Sequence, residues 1–341
     1  MKKMTRRSFM EISAASVATA TLSGCARAFG TPSEDTVAPN AVILRLADAQ
    51  TETYPATMGS MEFGRLVEER TEGRVVIEVF TDGDLGSDET AIIEQVQFGA
   101  IDLARVNLSP MCEFTPVLNL FQLPFLFEST NHMCRVIDSE LGAGMLAQVQ
   151  DAGFIGFALY EAGTRNIYNS VRPVTCLADL QGLIIRVPTS ELMLDMVDAL
   201  GATGNGLAFG EIYSALQTGI INGAENNWVS YDQNNHYEVA QYLSLDGHTA
   251  PPEILVGCAD SFHAVSASDM EIIMECAAES IAYERAEYLV VEEASITKVM
   301  EGGSQVDEIT DIENFQAAVT PLYEKYAGDF MDEMDQIKAM A

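Results

Sequence analysis

From residue 41 onward, short apolar runs alternate with stretches whose apolar residues recur every three or four positions. The runs "AVILRLADA" (41–49), "RVVIEVF" (74–80), "IDLARVN" (101–107) and "FIGFALYEAG" (154–163) predict strands. Between the first three, "TMGSMEFGRLVEERT" (57–71) and "DETAIIEQVQFGA" (88–100) carry helical spacing. Strand, helix, strand, helix, strand predicts an α/β fold with a mainly parallel sheet.

The second half continues the alternation. "LIIRVP" (183–188) and "EILVGCA" (253–259) predict strands, and "INGAENN" (221–227) opens another. "SELMLDMVDALG" (190–201) predicts a helix with Ser190 as N-cap. "FGEIYSALQTG" (209–219) predicts one that stops at Gly219. The longest helical pattern runs from Ser268, with Glu271 completing a capping box, to about Met300. A last helix spans about Ile312 to Met340. No Pro/Gly-rich linker divides the chain, so two lobes would have to be joined by several crossings. A chain of 341 residues, 48% hydrophobic, is long enough for two.

The first 24 residues do not belong to that pattern. Arg6 and Arg7 precede a short apolar stretch from Ile12 to Gly24, as in a twin-arginine export signal. The stretch ends in "LSGC", which resembles a lipoprotein cleavage box with Cys25 as the lipidated residue. "ARA" (26–28) leaves open a later cut that would free the protein from the membrane. Residues 25–40 read as a tether.

The formal net charge is −33, which excludes nucleic acid as a natural partner and indicates a heavily solvated exterior. Without residues 1–24 the chain keeps 14 basic and 50 acidic residues. Only Lys298, Lys325 and Lys338 remain as lysines, so each arginine inside an apolar segment is informative. Beyond Cys25 there are five cysteines, at 112, 134, 176, 258 and 276, with no C-x-x-C. An odd, scattered set predicts free thiols, not a disulfide framework or a zinc site. The four histidines are dispersed, and no dinucleotide loop, P-loop or G-x-S-x-G elbow occurs. Neither an enzyme, a metal nor a cofactor is expected.

What remains is a pair of arginines, Arg165 in "EAGTRNIYN" and Arg186 in "IIRVP", both near strand ends. Ligands of α/β sheets bind beyond strand ends, and a guanidinium there matches a carboxylate. The competing reading is an arginine paired with a core Asp or Glu. Asn226 and Asn227, at the end of "GAENN", can donate and accept as a polyhydroxylated ligand requires, or can simply cap a turn. Trp228, Tyr231 and Tyr237 follow, as ligand-stacking or as core residues.

These stretches carry a family resemblance. "LQGLIIRVP" followed by "GEIYSALQTGIINGAENN" resembles the solute-binding proteins of tripartite ATP-independent periplasmic (TRAP) transporters, and "LGSDETAIIEQVQFGAIDL" and "LPFLF" agree. The resemblance covers about residues 41–335. It implies two periplasmic-binding-protein-like α/β lobes, joined by strands and a long helix, that close on a ligand and deliver it to a membrane permease. The lobes would comprise 41–162 plus about 251–285, and 163–250 plus about 286–341. It further implies that Arg186 fixes the carboxylate of an organic acid, with Arg165, Asn226 and Asn227 beside it. "RVNLSPM", "LYEAGTRNIYN" and "AENNWVSYDQNNHY" resemble members that bind hexuronates such as glucuronate and galacturonate. Asn107 and Glu89 are candidate hydroxyl contacts, and Tyr213 is a further candidate for substrate binding. Two positions depart from the pattern: "NGLAFGEIY" lacks a proline before the helix, and Glu161 stands where Asp is expected. A C4-dicarboxylate or 2-keto acid, an enzyme acting on acidic sugars, and a sensor docking on a membrane kinase remain as alternatives. A dicarboxylate would need both arginines as clamps, whereas a uronate would use one.

Overall fold

The computed structural model of the protein describes residues 40–341. The export signal, Cys25 and the tether up to residue 39 lie outside the described residues.

Among the described residues, eleven strands form two sheets. The first contains β1 (Val42–Asp48), β2 (Val75–Phe80), β3 (Leu103–Asn107), β4 (Phe154–Tyr160) and β10 (Glu253–Cys258), in the order β2-β1-β3-β10-β4. The second contains β5 (Arg165–Asn169), β6 (Ile184–Val187), β7 (Thr203–Gly206), β8 (Gly223–Asn226), β9 (Tyr242–Thr249) and β11 (Gln305–Glu308), in the order β11-β9-β5-β8-β6-β7. The architecture is the expected two-lobed α/β fold. β3, β8 and β10 are buried along their whole length, because helices cover both faces of the sheets.

Each sheet is mainly parallel, as expected, but carries one reversed strand. β10 runs against both of its neighbours in the first sheet, and β5 against both of its neighbours in the second. The cause is the crossing between sheets. β4 leads directly into β5 through residues 161–164, and β9 returns into β10 through residues 250–252. Tyr160 pairs with Glu253 on one side of the crossing, and Arg165 with Thr249 on the other. A strand that arrives from the other sheet begins at the edge where its parallel neighbours end. Residues that open β5 and β10 therefore lie beside residues that close β3 and β8.

Gly163 sits in this crossing with φ +63°. A Cβ there would lie 2.0 Å from the Tyr288 hydroxyl, so the segment is seated on the long helix without room for a side chain. Gly163→Ala combines left-handed backbone strain with overpacking, and should cost about 2–3 kcal/mol. Urea unfolding of the variant measures this, and an unchanged midpoint would contradict it.

The long helix, Ala267–Glu301, runs 35 residues without a break, roughly 50 Å. Its buried stripe begins among the apolar residues under the first sheet (Ile273, Cys276, Ala277) and ends at Val299, among those under the second. Its N-cap is Ser266, not Ser268: the Ser266 hydroxyl accepts from the Asp269 amide at 3.1 Å, the same spacing two residues earlier. The last helical stretch is divided. The helix Ile312–Ala327 gives way at Gly328 to a short 3-10 turn, and Met331–Ala339 follows. Tyr323 donates to the Pro124 carbonyl at 2.6 Å and Tyr326 to Asp195 at 2.7 Å, so the helix Ile312–Ala327 ties a segment beyond β3 to the helix Glu191–Ala199. The five cysteines of the described residues are all free thiols.

Candidate functional site

The strand ends that meet at the crossing line a small, partly open cavity. Glu89, Asn107, Arg165, Arg186 and Asn226 line it, so five of the seven sequence candidates converge.

The two arginines are not equivalent. Arg165 is 3% exposed and paired with a buried carboxylate. Its Nε and Nη2 donate to the two carboxylate oxygens of Glu225 at 2.5 and 2.9 Å, and Nη1 donates to Asn226 Oδ1 at 3.0 Å. Glu225 in turn meets His248 Nε2 at 3.2 Å, and His248 Nδ1 meets Asp246 at 2.8 Å. All four groups are buried, and two cations balance two anions. Burial would raise the Glu225 pKa, but Arg165 and His248 outweigh it and hold it down at about 2. Burial would likewise depress His248, yet Asp246 and Glu225 push it up to about 9.

Arg186 is 2% exposed and has no acidic partner within salt-bridge distance among the described residues. Its Nε donates to the Leu207 carbonyl at 2.8 Å, which aims the two terminal amines into the cavity. Burial lowers its pKa to about 10, with Glu225 only partly compensating. The imidazole behind it, His236, accepts or donates at Nδ1 with the Tyr168 hydroxyl at 2.7 Å. Burial, and then the Arg186 charge, hold that imidazole down at about 3. A histidine-resolved NMR titration should therefore show His248 protonated past pH 8 and His236 neutral down to pH 4; His248 titrating near 6.5 would contradict the network.

The asparagines use their oxygens within the protein and leave amide nitrogens for the cavity. Asn226 Oδ1 accepts from Arg165 and from the Asn227 amide, and Asn107 Oδ1 accepts from the Ser109 amide at 2.9 Å. Glu89 is the first residue of the helix Glu89–Gln97, which Asp88 caps. One Glu89 oxygen accepts from the Asn107 backbone N–H at 2.8 Å, and burial raises its pKa to about 7.

Two candidates lie elsewhere. Asn227 caps the helix Trp228–Gln233 through Oδ1, and its Nδ2 donates to the Tyr54 hydroxyl and the Ala162 carbonyl. Every hydrogen-bonding group of its side chain is thus engaged by protein. Tyr213 lies on the helix Ile212–Thr218, where its hydroxyl meets Glu238 at 3.2 Å. Of the aromatics, Tyr231 is core, bonded to the Ala240 carbonyl. Glu161 faces Cys134, away from the cavity, and the proline-free approach to the helix supplies the Leu207 carbonyl that holds Arg186. The first of these departures from the family pattern does not line the cavity, whereas the second borders it through Phe209.

Sequence reading missed Gln50, Phe209, Ser230 and Glu253. Gln50 follows β1 and Glu253 opens β10; their position at strand ends was a signal, but in so acidic a chain a single glutamate carries little.

Comparison with known proteins agrees with this arrangement. Residues 46–329 match the family described as bacterial extracellular solute-binding protein, family 7. A solute-binding protein of Chromohalobacter salexigens is 36% identical over 80% of this chain and 81% of its own. Two crystal structures of TRAP periplasmic solute-binding proteins superpose closely. One, from Bradyrhizobium with galacturonate bound, is 36% identical, with a TM-score of 0.85 over 87% of this chain and 99% of that one. Another, from Chromohalobacter salexigens with D-glucuronate, is 33% identical, with a TM-score of 0.84 over 87% of this chain and all of that one. The chain belongs to the family 7 extracellular solute-binding proteins, the ligand-capturing components of TRAP transporters.

Proposed function

We propose that the protein captures a hexuronate, such as glucuronate or galacturonate, by its carboxylate and delivers it to a TRAP permease. The observation that carries this reading is Arg186, a buried cation without an anionic partner among the described residues, lining a cavity whose other cation, Arg165, is already paired with Glu225. A ligand carboxylate would satisfy both terminal amines as a bidentate pair. The Asn107 and Asn226 amides and the carboxylates of Glu89 and Glu253 suit ring hydroxyls, which donate and accept. Arg165 is already neutralised by Glu225, which disfavours a C4-dicarboxylate that needs two clamps. The hexuronates bound by the Bradyrhizobium and Chromohalobacter proteins agree with this reading.

Calorimetry with D-glucuronate, D-galacturonate, glucose, galactose and succinate tests it. The uronates should bind, and the neutral hexoses should bind at least ~10³-fold more weakly, because they leave the arginine unpaired. Equal affinity for galactose would sink the reading.

The proposal includes export by the twin-arginine route and a lipid on Cys25, read from the leader. Cys25→Ala should move the protein from the membrane fraction to the soluble extracytoplasmic fraction. Unchanged partitioning would remove the anchor from the proposal.

A further inference from the structure

The wall that the first sheet gives the cavity, across from the second-sheet strand that carries Arg186, has a charge arrangement of its own. Glu253, 3% exposed, opens β10 and lines the cavity. One of its oxygens accepts from the Tyr54 hydroxyl at 2.8 Å, and the other from Arg105 Nη1 at 2.6 Å. Arg105 is itself 1% exposed. Its remaining donors, Nε and Nη2, go to the two oxygens of Asp48, and its guanidinium lies 5.4 Å from the Tyr54 ring centre. The arginine therefore sits behind the carboxylates and presents nothing to the cavity. One cation faces two anions here, and Glu89 adds a third carboxyl on the same wall.

The opposite wall has the reverse balance: the Arg165–Glu225–His248–Asp246 network is neutral as a whole, and Arg186 adds a positive charge. The two walls thus carry opposite charge balances. The first-sheet wall offers lone pairs, with the uncharged Asn107 amide as a donor, and a buried ionised carboxylate can only accept. A sugar hydroxyl donates to such an acceptor. A second ligand carboxylate would bring like charge against it, in a site with little water to screen it.

We infer that Glu253, fixed by Arg105 and Tyr54, is a specificity-determining residue that admits the hydroxyl end of a sugar acid and rejects acids carrying a carboxylate at both ends. The inference rests on the proposed uronate reading and extends it to the end of the ligand remote from Arg186. Arg105 and Tyr54 act as positioning residues: they occupy the rear lone pairs of Glu253 and leave its forward ones for the ligand.

The test compares each hexuronate with the aldarate of the same carbon skeleton, D-glucuronate with D-glucarate and D-galacturonate with galactarate, by calorimetry. The wild-type protein should bind the aldarates at least ~100-fold more weakly. In Glu253→Gln the side chain keeps an acceptor for its neighbours and loses its charge. That variant should narrow the gap by about tenfold or more, through stronger aldarate binding. The wild-type comparison stands even if the variant does not fold. Aldarate affinity within about threefold of the uronate, or an unchanged gap in a folded Glu253→Gln protein, would overturn the inference while leaving uronate capture intact. Absence of uronate binding in the wild type would instead overturn the functional reading on which it rests.

Discussion

Arg186→Met should abolish tight binding of the acid without harming the fold. Truncating one partner of a buried, hydrogen-bonded charge pair costs about 2–5 kcal/mol, or roughly 30- to 5,000-fold in Kd. The more telling readout is the unliganded protein. Without ligand, Arg186 is a buried cation whose only hydrogen bond among the described residues is to the Leu207 carbonyl. Such a group weighs against the folded state, because desolvation of the charge is not repaid by an anion. Methionine fills similar space without that cost. The unliganded variant should therefore melt at or above the wild-type temperature, while the ligand-induced rise in melting temperature disappears. A drop of several degrees in the unliganded protein would mean that the guanidinium is structural, and that loss of binding followed from damage.

The asymmetry between the arginines explains what could and could not be read from the chain. Sequence placed both Arg165 and Arg186 at strand ends, because apolar runs and turn residues mark those ends locally. It could not say which would be neutralised. That depends on Glu225, one of 51 acidic residues, reaching Arg165 across the pairing of β5 with β8. The same limit hid the reversed strands. Each is a local apolar run like any other, and its direction is set by the short crossing between sheets, a relation of high sequence separation. Glu253 illustrates both points at once, since its role comes from β3, from β10 and from Tyr54, which are far apart in the chain. The helices were legible to within a few residues, and where caps were misplaced, as at Ser266, two equivalent spacings competed over two positions. Asn227 shows the opposite error: family resemblance marked it as a ligand contact, whereas the ordinary capping reading of an asparagine before a helix describes what its side chain does.

Glu225→Gln should be the most destabilising substitution near the cavity, with no requirement for ligand. It leaves Arg165 facing a neutral amide and removes one of the two carboxylates that hold His248 protonated. Breaking a buried pair by removing one partner costs about 3–5 kcal/mol. The pH dependence identifies the cause. Glu225 has its folded pKa depressed to about 2 from an ordinary 4.5, so its contribution is present above pH 4.5 and is lost as pH falls toward 2. His248 has its folded pKa raised from 6.5 to about 9, so its contribution is full below pH 6.5 and is lost as pH rises toward 9. Glu89, raised to about 7, adds a further loss of stability as pH climbs from 4.5 to 7, but it does so in wild type and variant alike. The difference between the two proteins should therefore be largest between about pH 4.5 and 6.5 and shrink on both sides. Urea unfolding across pH 3–10 measures that difference. A gap that stays constant through pH 9 would show that His248 is not charged through Glu225, and that the four buried groups do not act as one network.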